Sequence, residues 1–121
     1  MPSQSEVVVK TAADGSATEN TERLSGRINR ISYIKVDFAD TVDFTITAEK
    51  TLQNVWVEAN VTASKVVAPR QATHDTVGVA SLYAATGEPV EDHIVLCHER
   101  IKLVLAAGGA AKTGKFIVVM D

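Results

Sequence analysis

Apolar and polar residues alternate with a period of two along most of this chain. In Val42–Glu49 every even-numbered residue is apolar and every odd-numbered residue is polar, and Glu99–Ala106 sets isoleucine and leucine opposite arginine and lysine. Because successive side chains of a β-strand point to opposite faces, this period predicts half-buried strands. No segment sustains a 3.6-residue period, and the strongest helical signal is a single turn near Val79–Ala85.

The alternating runs predict about eight or nine strands at near-regular spacing, separated by turn signals such as Asp14-Gly15 and Ser25-Gly26. The predicted strands are Glu6–Thr11, Thr18–Leu24, Arg27–Phe38, Val42–Glu49, Val55–Ala59, Val61–Val67, Glu91–His98, Glu99–Ala106 and Lys115–Met120. Such a pattern predicts an all-β fold, a jelly-roll-like antiparallel β-sandwich or barrel. Immunoglobulin-like and Greek-key arrangements remain open alternatives.

One hydrophobic core is expected from these strands. Its predicted members are Ile34, Val36, Phe44, Ile46, Leu103 and Phe116. In Arg27–Phe38 this parity leaves Ile31 and Tyr33 on the outer side, so a bulge is expected near Arg30–Ser32. Trp56 is expected in the core or on a sheet face, because large aromatic side chains dominate core burial.

The chain of 121 residues fits a single domain, residues 1–121. Its net charge of −3 argues against a nucleic-acid or anionic-membrane binder. Cys97 is the only cysteine, so no intrachain disulfide is expected. No signal peptide and no apolar run of ~20 residues is found, so synthesis in the cytoplasm and no membrane insertion are expected.

The sequence gives little support for a metal site. On one strand His93 and Cys97 would lie about 13 Å apart at ~3.3 Å per residue, and His98 would point to the other face. A buried thiol beside surface histidines is the favoured interpretation. Asp37, Asp40 and Asp43 are expected in a solvated turn, because their spacing does not match a calcium loop. No metal and no cofactor is predicted.

No catalytic residue is predicted either. His74-Asp75 with Ser81 lacks the strand-to-helix turn that presents a nucleophile. Gly108-Gly109 with Lys112 lacks the spacing of a phosphate-binding loop and a following helix. The protein is therefore expected not to be an enzyme.

The segment Pro69–Gly87 differs from the strands on either side of it. It is too long for an ordinary hairpin loop and too apolar for a solvated linker, so it forms one long loop excursion that must pack on something. We predict that this segment contacts a neighbouring subunit. The predicted interface residues are Pro69, Arg70, Gln71, Thr73, His74, Asp75, Leu82 and Tyr83.

These interface residues have separate expected roles. Pro69 forces the chain out of its ladder, and Arg70 offers a planar donor fork to a carboxylate across the interface. Leu82 and Tyr83 supply the anchors. The alternative is that Leu82 and Tyr83 plug one end of the sandwich while Arg70 is paired internally.

Several short motifs stand in the last half of the chain: an A-PRQ-THD-G–LY-A-G element, an ERIK strand and a GG-AK-G hairpin. Their residues are Ala68 to Gln71, Thr73 to Asp75, Gly78, Leu82-Tyr83, Gly87, Glu99 to Lys102, Gly108-Gly109, Ala111-Lys112 and Gly114. In these motifs the chain resembles a group of small structural proteins of tailed-bacteriophage virions. The first half matches that group only in its hairpin-rich style.

The resemblance implies a non-enzymatic virion protein at the capsid surface, a capsid decoration (cement) or minor capsid protein that oligomerises and stabilises the head. Its implied partners are copies of itself, in a dimer or trimer, and the major capsid protein. A head–tail connector or tail component is the nearest alternative. A carbohydrate- or host-surface-binding sandwich is another, although an aromatic content of 5% favours assembly over sugar binding. A small hydrolase is a distant third.

Overall fold

The computed structural model describes residues 2–121, which contain eleven β-strands and no helix. The strands are β1 (Ser3–Lys10), β2 (Ala17–Asn20), β3 (Leu24–Lys35), β4 (Asp43–Ala48), β5 (Asn54–Glu58), β6 (Lys65–Val67), β7 (Arg70–Ala72), β8 (Glu91–His93), β9 (Val95–Glu99), β10 (Ile101–Ala106) and β11 (Thr113–Met120). The single helical turn expected near Val79–Ala85 is wrong, because turns and isolated β-bridges occupy that stretch.

Two antiparallel sheets form the body of the protein. Sheet A has the order β1-β11-β3-β6, with β9 also paired to β3, and sheet B has the order β2-β10-β4-β5. The chain passes from one sheet to the other between β1 and β2, β2 and β3, β3 and β4, β5 and β6, β9 and β10, and β10 and β11. Both sheets contribute buried side chains to one core. The predicted all-β antiparallel sandwich is confirmed.

The inner faces follow the predicted alternation in most strands. Phe44, Ile46, Leu103 and Phe116 are buried as predicted, and so is Trp56. The burial pattern of β11 alternates strictly along its length. Residues two apart on a strand share a face, so in these strands the alternating apolar side chains all point into the core.

The bulge predicted in the third strand is present, but it lies nearer the start of the strand. Val119 pairs with Arg30 whereas Met120 pairs with Ile28, so Asn29 is an extra residue in β3. A β-bulge places two residues opposite one and bends the strand. Beyond it the parity of β3 is reversed.

This reversal corrects the predicted core. Ile31 and Tyr33 are each 1% exposed, whereas Ile34 and Val36 are 38% and 62% exposed. The placement of Ile34 and Val36 in the core is therefore wrong, because a one-residue shift moves every following side chain to the opposite face. Phe38 is buried again because β3 ends at Lys35 and the chain bends.

Cys97 also departs from expectation. Ile94 and Leu96 turn into the core, and Cys97 takes the opposite parity on β9 and is exposed. The expectation of a buried thiol is wrong.

A cluster of five aromatic rings fills the centre of the sandwich. Phe44 stands edge-on to Tyr33, Phe116 and Trp56, with ring centroids 4.8, 5.0 and 5.1 Å away. Phe38 stacks on Tyr33 at 6.1 Å. Offset and edge-to-face contacts of this kind add to the stabilisation that burial alone supplies.

The hydroxyl of Tyr33 is buried in this cluster and has no hydrogen-bond partner among residues 2–121. Burial, and secondarily the charge of Asp40, raises the pKa of Tyr33 to about 12. In the unfolded chain the Tyr33 hydroxyl ionises at the ordinary tyrosine pKa of about 10, before it does so in the folded protein. The free energy of unfolding that neutral Tyr33 contributes is therefore fully present below about pH 10 and is lost as the pH rises through about 12.

Tyr33→Phe should remove this alkaline sensitivity. At neutral pH we expect the variant to be as stable as wild type or more so, because an unpartnered buried hydroxyl is eliminated. Between pH 9 and 11.5 its advantage in free energy of unfolding should grow. Denaturant titrations across that range measure the difference, with the exposed Tyr83→Phe as control. A pH dependence identical to wild type would contradict the assignment.

Gly114 lies beneath the ring of Phe38. A Cβ added at Gly114 would overlap three atoms of that ring, so the strand has room for glycine only. We expect Gly114→Ala to cost about 1–3 kcal/mol of stability through overpacking. Repeating the substitution in a Phe38→Leu background is the check, because a shorter side chain should relieve part of the cost. An equal cost in both backgrounds would mean that the ring is not the obstacle.

Candidate functional site

The candidate site is an arm, residues 68–93, that leaves sheet A between two strands on the same edge of β3. β6 pairs with Ile31–Tyr33, and β9 pairs with Leu24–Arg27. β11 occupies the other edge of β3. The arm therefore interrupts what would otherwise be one strand alongside β3.

The arm has a stem and two tips. In the stem β7 pairs antiparallel with β8, from Arg70 opposite His93 to Ala72 opposite Glu91. Beyond the stem three segments meet in a fork: Thr73 N–H donates to the carbonyl of Val90, Val90 N–H to that of Ser81, and Ser81 N–H to that of Thr73. Residues 74–80 form the first tip and residues 82–89 the second, each closed by one β-bridge.

Asp75 shapes the first tip. Its Oδ1 accepts hydrogen bonds from Val77 N–H at 2.9 Å and Val79 N–H at 3.0 Å. Gly78 follows with a φ of +81°, a conformation that glycine adopts without a steric penalty. The side chains of the two valines face solvent, with 81% of Val77 and 58% of Val79 exposed.

Arg70 fixes the stem to the body. Its Nη1 donates to the carbonyls of Pro69, Asn29 and Ile28 at 2.9, 3.2 and 3.4 Å. Ile28 and Asn29 lie on β3 between the residues that pair with β6 and those that pair with β9, at the β-bulge. Main-chain carbonyls of its own chain therefore hold Nη1, as the alternative of an internally paired Arg70 expects, and the predicted contact of the guanidinium with a carboxylate across an interface stays a prediction.

Gln71 provides a second attachment. Gln53 Nε2 donates to Gln71 Oε1 at 2.6 Å, and Gln71 Nε2 donates to the carbonyl of His93 at 3.1 Å. The turn between β4 and β5 is thereby tied to the stem. Thr73 Oγ1 donates to the carbonyl of Val90 at 2.8 Å and holds the fork together.

The predicted interface residues thus fall into two groups. Five build or anchor the arm, Pro69 by being buried: Pro69, Arg70, Gln71, Thr73 and Asp75. Three are exposed on the tips: His74, Leu82 and Tyr83. Leu82 is 39% exposed and Tyr83 76% exposed, so neither plugs the end of the sandwich.

The valines of the first tip were missed as contact residues. The signal that could have identified them is a valine on each side of Gly78, three residues after Asp75, because aspartate and glycine at this spacing favour a turn, and turns lie at the surface. With Leu82 and Tyr83 they give the two tips four exposed apolar side chains.

The arm is also acidic. No lysine or arginine occurs between Arg70 and Arg100, whereas this stretch holds Asp75, Glu88, Glu91, Asp92 and Glu99. Of these only Glu99 lies beyond the arm, in β9. The main-chain N–H and then the ring of His93 lower the pKa of Asp92, so this carboxylate stays ionised at neutral pH.

Elsewhere the three aspartates considered for calcium serve separate contacts. Asp37 accepts a hydrogen bond from Thr113 N–H, Asp40 pairs with Lys35, and Asp43 accepts from Asn60 N–H. Across residues 2–121 there is no cavity and no group of three side chains placed to hold a metal ion. The same residues include no helix able to cross a membrane.

Comparison with protein-family models, with characterised proteins and with solved structures finds no match to this chain.

Arg70→Ala and Tyr83→Ala should behave differently. Loss of the Arg70 contacts should free the arm and cost about 1.5–3 kcal/mol, whereas Tyr83→Ala should change stability by less than ~0.5 kcal/mol. Chymotrypsin reports the arm directly, because Tyr83 is exposed within it. We expect Arg70→Ala to be cut near Tyr83 faster than wild type, and the exposed Arg30→Ala to be cut at the wild-type rate. Equal rates for all three proteins would show that Arg70 does not hold the arm.

Proposed function

We propose that this protein is a non-enzymatic structural component of a tailed-phage virion, most specifically a capsid decoration or minor capsid protein. The observation that carries the proposal is the arm, which is fixed at its stem and carries exposed apolar side chains at its tips. Exposed contiguous apolar groups with a polar surround are typical of a protein–protein contact surface.

One of the motifs behind the phage resemblance, the A-PRQ-THD-G–LY-A-G element, falls on the arm, whereas the ERIK strand and the GG-AK-G hairpin belong to the body of the protein. Pro69-Arg70-Gln71 builds the stem, and Thr73-His74-Asp75 builds the fork and the first tip. Leu82-Tyr83 begins the second tip. The first of the resemblance motifs thus coincides with the exposed surface that supports the proposal.

A small protein of this shape can reinforce a lattice of repeated subunits. When the body of the protein already contacts one subunit of the lattice, the arm is held close to the neighbouring subunit. Binding of the arm there is then favoured by a high effective concentration. Hydrophobic tips supply the buried area, and the acidic surround selects a basic partner surface. This is the physical task of a decoration protein.

The distribution of aromatic residues supports assembly over carbohydrate binding. Tyr33, Trp56 and all three phenylalanines are buried, so among residues 2–121 Tyr83 is the one aromatic side chain on the surface. A sugar-binding face built by stacking needs exposed rings.

Immunogold labelling tests the proposal. Antibody raised against the purified protein is applied to phage particles released from the host in which the gene occurs. Gold over the heads is the expected result. Gold confined to the neck or tail would favour the connector or tail alternative, and particles without label would contradict a virion role. Particles from a phage carrying a deletion of the gene are the control.

A further inference from the structure

The outer face of sheet A is apolar for a surface in contact with solvent. Directly paired residues of neighbouring strands point to the same side of a sheet. Val8 pairs with Lys115 and Lys115 with Ile34, while Ile117 pairs with Ser32 and Ser32 with Val66. Val8, Ile34 and Val66 are 59%, 38% and 63% exposed, and Ile117 is half-buried at the centre.

The outer face of sheet B is more polar. Its outward positions include Thr18, Thr45, Thr47 and Lys102, which surround Val104, and the edge strand adds Val57. Threonine and lysine are ordinary occupants of a solvated sheet face, whereas a run of valine and isoleucine is not. The apolar outer face of sheet A therefore needs an explanation of its own.

This face is also basic. Lys10, Arg30 and Lys115 lie on it, and the carboxylate opposing them is that of Glu6, which pairs with Lys115 at 3.2 Å. Lys10 and Arg30 are exposed, and their side chains form no hydrogen bond or ion pair within residues 2–121. The outer face of sheet A thus combines apolar contact area with free positive charge.

The arm has the complementary properties. Its tips expose Val77, Val79, Leu82 and Tyr83, and its charges beyond Arg70 are all negative. A two-stranded hairpin with little core of its own gains most of its stability by packing on another surface. The arm and the outer face of sheet A match in both polarity and charge.

We propose that the arm of one copy packs across the outer face of sheet A of a second copy. Two copies that exchange arms reciprocally bury both surfaces of each chain and give a closed dimer with two-fold symmetry. Self-association by this route does not require a virion.

Charge exchange tests the contact. The arm variant is Glu88→Lys with Glu91→Lys, and the face variant is Lys10→Glu with Arg30→Glu. All four side chains are exposed and form no hydrogen bond or ion pair within the described chain, so folding should be retained. Wild type should oligomerise in sedimentation velocity, and each variant alone should associate about 100-fold more weakly or not at all, because like charges then meet.

Mixing the two variants is the decisive step. The acidic arm of the face variant then meets the basic face of the arm variant. The basic arm of the arm variant in turn meets the acidic face of the face variant. We expect a 1:1 complex from the mixture and recovered self-association when all four substitutions are in one chain. An arm variant or a face variant that still self-associates, a mixture that stays monomeric, or a monomeric wild type would each overturn the proposal.

The apolar part of the contact has its own control. Tyr83→Ser should weaken wild-type association, whereas Leu52→Ser should not, although Leu52 is 74% exposed on the turn between β4 and β5. Equal loss from both would indicate nonspecific hydrophobic association and would also overturn the proposal. Circular dichroism and melting of every variant identify any loss of fold.

Discussion

Phe44→Ala should destabilise the protein by about 3–5 kcal/mol, the largest effect expected from any single side chain in the sandwich. Phe44 is 1% exposed and touches three other aromatic rings drawn from both sheets. Alanine would remove those contacts and leave a cavity that rigid strands cannot close. Denaturant unfolding followed by circular dichroism measures the cost.

A matched control comes from the outer side of the same sheet. Val57 on β5 is 58% exposed, and Val57→Ala should cost less than about 1 kcal/mol. If Phe44→Ala cost no more than Val57→Ala, the aromatic cluster would not be the centre of the core.

Glu99→Ala should cost about 2–4 kcal/mol, although glutamate is usually a surface residue. Glu99 is 5% exposed, and its Oε1 accepts hydrogen bonds from Lys50 N–H at 2.7 Å and Thr51 N–H at 2.8 Å. Hydrogen bonds to a charged group are worth about 1.5–3 kcal/mol, and their loss leaves two donors unsatisfied. The carboxylate therefore holds the turn between β4 and β5 against the start of β10.

Hydrogen exchange locates this effect. In Glu99→Ala the amides of Lys50 and Thr51 should exchange faster than in wild type, and Glu99→Gln should have a smaller effect because it retains an acceptor oxygen. The exposed Glu19→Ala on β2 is the control and should be neutral. Unchanged protection of both amides in Glu99→Ala would refute this role.

The sequence pattern was sufficient where alternation ran without interruption. Val42–Glu49 and Glu99–Ala106 became β4 and β10, the central strands of sheet B, with the predicted sides inward. It was insufficient in β3, because apolar residues occur there on both parities and the pattern alone does not locate the extra residue. Asn29 sets which parity is buried, and the pairs on either side of it, Arg30 with Val119 and Ile28 with Met120, join residues about ninety positions apart.

The arm was predicted in part for a similar reason. Pro69 and the apolar character of the following residues marked a segment that leaves the sheet, and this departure is present. The fork was not predictable, because it depends on main-chain hydrogen bonds among three separated segments. Arg70 donates to the carbonyl of Asn29, which lies 41 positions earlier in the chain, and no local sequence pattern encodes a contact at that distance.

Because the arm enters and leaves sheet A on one edge of β3, the sandwich is built to tolerate its exchange. Val67 lies opposite Ile31, and Val95 lies opposite Arg27. Ile94 already bonds to Ile28 N–H through its carbonyl, so about two residues, opposite Arg30 and Asn29, would join β6 and β9 into one continuous strand. The position is thus a natural graft point, at which a foreign loop could replace the arm while the aromatic core and both sheets stay as they are.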